Sequence, residues 1–321
     1  TTVLRRHTDV GPQGMGGIYV LDFSADLGRV ETSFTLQGMS PNNGGPIIDF
    51  GTIDRTGINA LAPDNTSSSI DANAFDAIGK VGYGDLDLQP GTDILWTVNL
   101  NQRSLLAIDV SATSTYPGVV NQYLLDDLIA ASTNVPTCSV LRPWGLGFAN
   151  NMGYLGCVCS NENGGTNTTA PSVDSAYVFS FDPNNPTSLT KEIVIHMNFS
   201  REQADFNGLY PGEWNGWVSQ WSQTGYANNF NGEISFPQPI LSDLDFTDDG
   251  DMIVAFIDRW GLQVGSSDFT PVPNGSNGQG NIAANAAGDI LKMCRIGGSW
   301  ALEGAAGCPV ADGALSTPNT D

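Results

Sequence analysis

The chain has 321 residues, with 38 Gly and 18 Pro, and 34 acidic side chains against 12 basic ones, for a formal charge of −22. That charge repels phosphate backbones and anionic lipid surfaces, which argues against nucleic acid or a membrane as partner. No apolar run approaches the roughly 20 residues a helix needs to cross a bilayer, so membrane insertion is not expected.

Taken in order, Thr1-Thr-Val-Leu-Arg-Arg-His7 does not read as a signal peptide. Gly17-Ile-Tyr-Val-Leu-Asp-Phe23 is a short strand, and Val30 to Leu36 is a second. Gly38 to Asp76 is polar and rich in turn residues, and reads as an excursion with little core. Gly84-Asp-Leu-Asp-Leu88 alternates with the period of a half-buried strand and meets a turn at Gln-Pro-Gly-Thr-Asp; Ile94 to Leu100 follows as its hairpin partner. Leu105 to Val110 is a third strand and Val119 to Leu125 a fourth, with one helix-like segment at Leu124 to Ala131.

The same order returns twice. Pro143 to Phe148, a turn at Ala-Asn-Asn, and Met152 to Cys159 form a hairpin, followed by Ala176 to Phe181 and Lys191 to Phe199. Leu241 to Phe246, an Asp-Asp-Gly-Asp turn, and Met252 to Ile257 form another, followed by Asp289 to Cys294 and Trp300 to Glu303. Hairpin, third strand and fourth strand repeated along a chain are the pattern of β-propeller blades. The expectation is therefore a single all-β, β-propeller-like domain over 1–321 with four-stranded blades near 80–125, 141–199 and 240–303. A partial blade at 17–36 lacks its hairpin, so the ring is closed by a missing segment or by a neighbouring chain.

Candidate sites are few. Asp243, Asp245, Asp248, Asp249 and Asp251 place five carboxylates in nine residues around Gly250, a density of hard oxygen ligands that suits Ca²⁺ as cofactor. The spacing departs from that of an EF-hand loop, and a plain Asp-Gly hairpin explains it equally. Asp85, Asp87, Asp243 and Asp245 all begin hairpins and are read as outward-facing strand residues, with a channel cation site of a carbohydrate hydrolase or lyase as the alternative. Between 201 and 236, Tyr210, Trp214, Trp217 and Trp221 lie among Asn, Gln and Glu, the composition of a carbohydrate-binding surface; the other reading has these rings filling a cap over the sheets. Two His, no Gly-x-Ser-x-Gly and no phosphate loop leave nothing to support nucleophilic or nucleotide chemistry.

Of five cysteines, Cys294 and Cys308 flank a hairpin-like segment and are expected to pair. Cys138 is left to pair with Cys157 or Cys159, which point to one side of a strand and cannot easily join each other. Sequons at Asn65, Asn167, Asn198 and Asn274 are possible glycosylation sites, and with the cysteines they point to an extracellular compartment.

The runs KVGYGDLDL from Lys80, RPWGLGF from Arg142, AYVFSFDP from Ala176, PQPILSDLDFTDDGDMIVAFIDRWG from Pro237 and GDILKMC from Gly288 resemble the propeller-like region of very large secreted or surface-anchored bacterial proteins. In that family the region precedes Ig-like B-type repeats of the serine–aspartate-repeat adhesin kind. The resemblance implies a non-enzymatic structural or adhesive protein of a bacterial surface or matrix, whose partners are other copies of itself, other surface proteins or glycans. It implies no catalytic residues.

Overall fold

The computed structural model describes residues 6, 11–22, 29–64, 67–111, 116–134, 136, 138–166, 173, 175–201, 212–272 and 280–309. The first sheet is a two-stranded ribbon of β1 (Gly17–Asp22) and β2 (Arg29–Thr35). A long connection carrying helix α1 (Ala72–Ala77) leads to a four-stranded sheet of β3 (Tyr83–Leu88), β4 (Ile94–Asn99), β5 (Ser104–Asp109) and β6 (Val120–Leu124), which ends in helix α2 (Leu125–Ala130). The next sheet is β7 (Leu141–Ala149), β8 (Met152–Cys159), β9 (Ser175–Phe181) and β10 (Thr190–His196).

The remainder of the chain interleaves two sheets. Its strands are β11 (Gly232–Ile234), β12 (Pro239–Phe246), β13 (Met252–Asp258), β14 (Asp268–Phe269), β15 (Asn281–Ala284), β16 (Asp289–Ile296) and β17 (Ser299–Leu302), with helix α3 (Arg259–Val264) after β13. Strands β12, β13, β16 and β17 make a third antiparallel four-stranded sheet, and β11, β15 and β14 make a small one with a parallel β11–β15 pair. The chain is thus all-β, with three four-stranded sheets in the windows that the repeat marked out. No helix among the described residues is long and apolar enough to cross a membrane.

Local chemistry explains the hairpins. Asn150 and Asn151 form the two-residue turn between β7 and β8 at φ 52° and 63°, the left-handed pair that matches the twist of adjoining strands. Gly250 takes φ 85° between β12 and β13, where its N–H donates to the Thr247 carbonyl at 2.9 Å. Each inner strand then lies beside the next, β3 against β7 and β7 against β12. One core runs through the three large sheets, from Trp96 and Leu105 through Tyr154 and Phe179 to Leu244 and Phe256.

The segment read as an excursion with little core is in fact a core contributor. Ile48 and Phe50 are fully buried and join Phe34, Leu36, Tyr83, Leu106, Ile108 and Val120, so they seal the ribbon onto the outer face of the β3–β6 sheet. The stretch after β13 likewise carries α3 and two short strands. Asp258 starts α3 by accepting from the Trp260 N–H at 2.9 Å.

Arg259, the next residue, is fully buried and ties separate segments together. Its Nε donates to the Ile78 carbonyl at 2.8 Å, Nη1 to the Val218 carbonyl at 2.9 Å and to Gln238 Oε1 at 2.8 Å, and Nη2 to the Asp76 carbonyl at 3.1 Å. Its guanidinium carbon stands 4.6 Å from the centroid of the Trp217 ring. Replacing it strands several buried acceptors at once, each costing about 1–3 kcal/mol. Arg259→Met is therefore expected to lower the unfolding free energy by about 3 kcal/mol or more, read from the urea midpoint at constant slope.

Candidate functional site

The three inner strands carry one motif in three versions. Gly84-Asp85-Leu86-Asp87-Leu88 in β3 aligns with Trp144-Gly145-Leu146-Gly147-Phe148 in β7 and with Ser242-Asp243-Leu244-Asp245-Phe246 in β12. A bulge interrupts each strand's pairing at the same place, between Tyr83 and Leu86, Pro143 and Leu146, and Leu241 and Asp243. Bulges re-aim side chains and kink the strand that carries them.

In β7 both acidic positions are glycine, and packing demands it. A Cβ on Gly145 would sit 2.9 Å from the Asp243 nitrogen, and one on Gly147 would sit 2.3 Å from the Leu244 oxygen. The bare backbone of β7 lets the Asp85 carboxylate reach across it. Asp85 Oδ2 accepts from the Leu146 N–H at 2.9 Å, while Oδ1 accepts from the Leu86 N–H at 2.8 Å. Burial is the largest cause lifting Asp85 to a pKa of about 6, opposed by the two N–H donors and reinforced by Asp243. Asp87 is raised as well, by burial first and then by Asp243 and Asp245. Of the four carboxylates read from sequence as outward-facing, Asp243 and Asp245 are exposed, while Asp85 and Asp87 are half-buried.

The five-carboxylate run does not stay together. Asp243 and Asp245 are exposed on β12, and Asp248 and Asp249 are exposed in the turn. Asp251 pairs with Lys292 at 3.0 Å on the neighbouring strand β16. Among the described residues no group of three or more His, Cys, Asp or Glu is arranged to hold a metal ion.

The aromatic segment corrects its surface reading. Trp214, Trp217 and Trp221 are 5%, 1% and 4% exposed, so none offers a face to a sugar ring. Trp217 Nε1 donates to the Pro239 carbonyl at 2.8 Å, and Trp221 stacks on Trp260 at 5.9 Å between centroids. Trp221 fills the core between α1, α3 and the small sheet, whereas Trp214 and Trp217 join the core of the large sheets. Tyr210 lies outside the described residues, as do Asn65, Asn167 and Asn274; Asn198 is exposed just beyond β10.

Cys294 and Cys308 pair as expected. Of the two partners open to Cys138, it joins Cys159 and not Cys157. Cys159 closes β8 opposite Leu141, within reach of the chain just before β7, whereas Cys157 lies deeper in the strand opposite Pro143. Cys157 keeps a buried free thiol, pushed well above its ordinary pKa by desolvation.

A second surface was not anticipated in this form. Along β1 runs a groove of about 480 Å³ lined by Gly17 to Leu21, Phe34, Tyr83, Leu86, Leu95, Val110 and Tyr116, none of them charged. Tyr19 and Leu21 are 37% and 50% exposed there. Among the described residues β1 pairs with β2 alone, so its other edge is open.

No family model, curated protein or solved structure matches this chain. The approach of β7 to β12 yields one direct prediction. Gly147→Ala forces backbone apart at the meeting of β7 and β12 and is expected to cost about 1–3 kcal/mol of stability in equilibrium urea unfolding.

Proposed function

We propose that this chain is a non-enzymatic structural or adhesive module of an extracellular surface or matrix. On this reading it is an incomplete β-propeller that associates with further copies of itself by adding a strand to the free edge of β1. The observation that carries the proposal is that open edge and the uncharged groove beside it.

The repeat gives the edge its meaning. In each large sheet the third strand of the motif, β5, β9 or β16, is flanked by an inner hairpin. β1 and β2 correspond to the third and fourth strands alone, so β1 lacks the neighbour that its counterparts have. Strand edges left open usually carry charges that prevent pairing with another chain. The β10 edge does so, with Lys191, Glu192 and His196. β1, Gly-Ile-Tyr-Val-Leu-Asp, has no charge before its last residue. A strand supplied by a second copy would satisfy its backbone and cover the groove by β-augmentation.

The compartment follows from chemistry. Two disulfides persist in an oxidising medium, and a strongly acidic chain stays soluble at high ionic strength. The resemblance to bacterial surface proteins points the same way.

Light scattering over a concentration series tests the proposal. The wild-type chain is expected to associate reversibly, and Tyr19→Lys with Leu21→Lys to weaken that association at least tenfold while circular dichroism stays unchanged. A wild-type chain monomeric at millimolar concentration, or a double variant that associates as before, would refute it.

A further inference from the structure

We propose that the pocket between the β3–β4 and β7–β8 turns is a binding site for an uncharged saccharide, whose hydroxyls meet the side-chain amides of Gln89, Asn150, Asn151 and Asn184. The site shares no lining residue with the groove along β1, so it does not rest on the self-association reading.

Three turns converge to build it. Gln89-Pro-Gly-Thr92 leads from β3 towards β4, Asn150-Asn151 joins β7 to β8, and Pro183-Asn184 follows β9. Between them they enclose about 340 Å³. Ligand sites span about 300–1,000 Å³, so this one takes a small ligand of one or two rings rather than a long chain.

Each turn is fixed from within. The Thr92 N–H and hydroxyl both donate to the Gln89 carbonyl, at 3.2 and 2.9 Å. Asn150 and Asn151 hold their left-handed pair at φ 52° and 63°. The Asn184 N–H donates to Asp182 Oδ1 at 2.9 Å. Gln89 Oε1 accepts from Trp96 Nε1 at 3.0 Å, which orients the amide and leaves its NH₂ group without a partner among the described residues. The side-chain amides of Asn150, Asn151 and Asn184 have no partner there at all. Polar groups held in place before binding lose less freedom on binding.

The chemistry selects the ligand class. A side-chain amide both donates and accepts, as a hydroxyl does, so four of them suit a ligand dense in hydroxyls. Phe148 is half-buried, with its ring centroid 6.3 Å from that of Trp96 and 6.2 Å from that of Phe181. With Pro90, Met152 and Pro183 it supplies apolar surface for the C–H face of a sugar ring. Among the described residues that line the pocket, none is charged. It has no carboxylate to hold a cation, and no Lys or Arg to offset the repulsion of an anionic sugar by a chain of charge −22. An extended peptide needs a strand edge or a continuous groove, and three converging turns offer neither. The pairing of ring and amides read from the Trp segment is thus present at these turns instead, on groups that solvent reaches.

Saturation-transfer NMR on dilute native protein tests the proposal. The probes are maltose, cellobiose, lactose and N,N′-diacetylchitobiose, with glucuronate and a short uncharged proline-rich peptide as controls. At least one of the four disaccharides is expected to bind with millimolar affinity, and neither control to respond. Asn151→Gly with Asn184→Ala removes two of the amides, and Gly keeps the positive φ of the hairpin turn. This double variant is expected to bind the sugar at least about tenfold more weakly while circular dichroism stays unchanged. Tyr19→Lys with Leu21→Lys should leave the sugar response as it is, so loss of self-association and loss of sugar binding are told apart. Silence from all four disaccharides, equal affinity in the double variant, or a response to the peptide or glucuronate in place of the sugars would overturn the proposal. If the double variant does not fold, Asn184→Ala alone decides the matter, with an expected weakening of about threefold or more.

Discussion

The architecture depends on how closely three inner strands can approach. β7 lies between β3 and β12, and at the two positions where its neighbours carry aspartate it carries Gly145 and Gly147. Any side chain there would collide with the β12 backbone at Asp243 and Leu244. The glycines let the sheets share one continuous core, and between them the Leu146 N–H donates to the Asp85 carboxylate of β3.

Charge is distributed with a similar economy. Only 12 basic side chains are present, and several are spent inside. Arg6, Arg201 and Arg259 are buried, and Arg142 with Lys80 is drawn to the buried Glu162, at 2.5 and 3.5 Å. Asp71, Asp258 and Glu303 are buried as well, so the outer surface keeps the acidic excess of the composition. Copies of such a chain repel one another at long range, and salt screens that repulsion. An uncharged edge such as β1 is where contact costs least, so the proposed association would strengthen with ionic strength.

Much of the fold was legible because it is written locally. Period-two alternation with Asp-Gly, Asn-Asn and Pro-Gly turns located three hairpins, and the third and fourth strands followed by repetition. What was missed depends on distant partners. α3 contains Gly261 and follows directly on a strand, so no helical periodicity marks it, although the Asp258 cap is visible afterwards. Ile48 and Phe50 sit in a polar stretch, and their burial comes from β3, β5 and β6 folding over them. Trp217 and Trp221 have the company of amides that sugar sites show, yet Arg259 and Trp260, some 40 residues on, enclose them. The meeting of the inner strands was half readable: the Asp-Leu-Asp motifs stood out, but their complement was the absence of a side chain in β7.

As proposed above, the first sheet would be a half-blade whose open edge is completed by another strand. Hydrogen exchange of the β1 amides from Ile18 to Leu21, measured on dilute and on concentrated native protein, tests it most directly. The account predicts that the amides facing away from β2 exchange freely in dilute solution and become protected, as those of β5 are, when the protein is concentrated. Rapid exchange at every concentration, in protein that is otherwise fully protected, would contradict it.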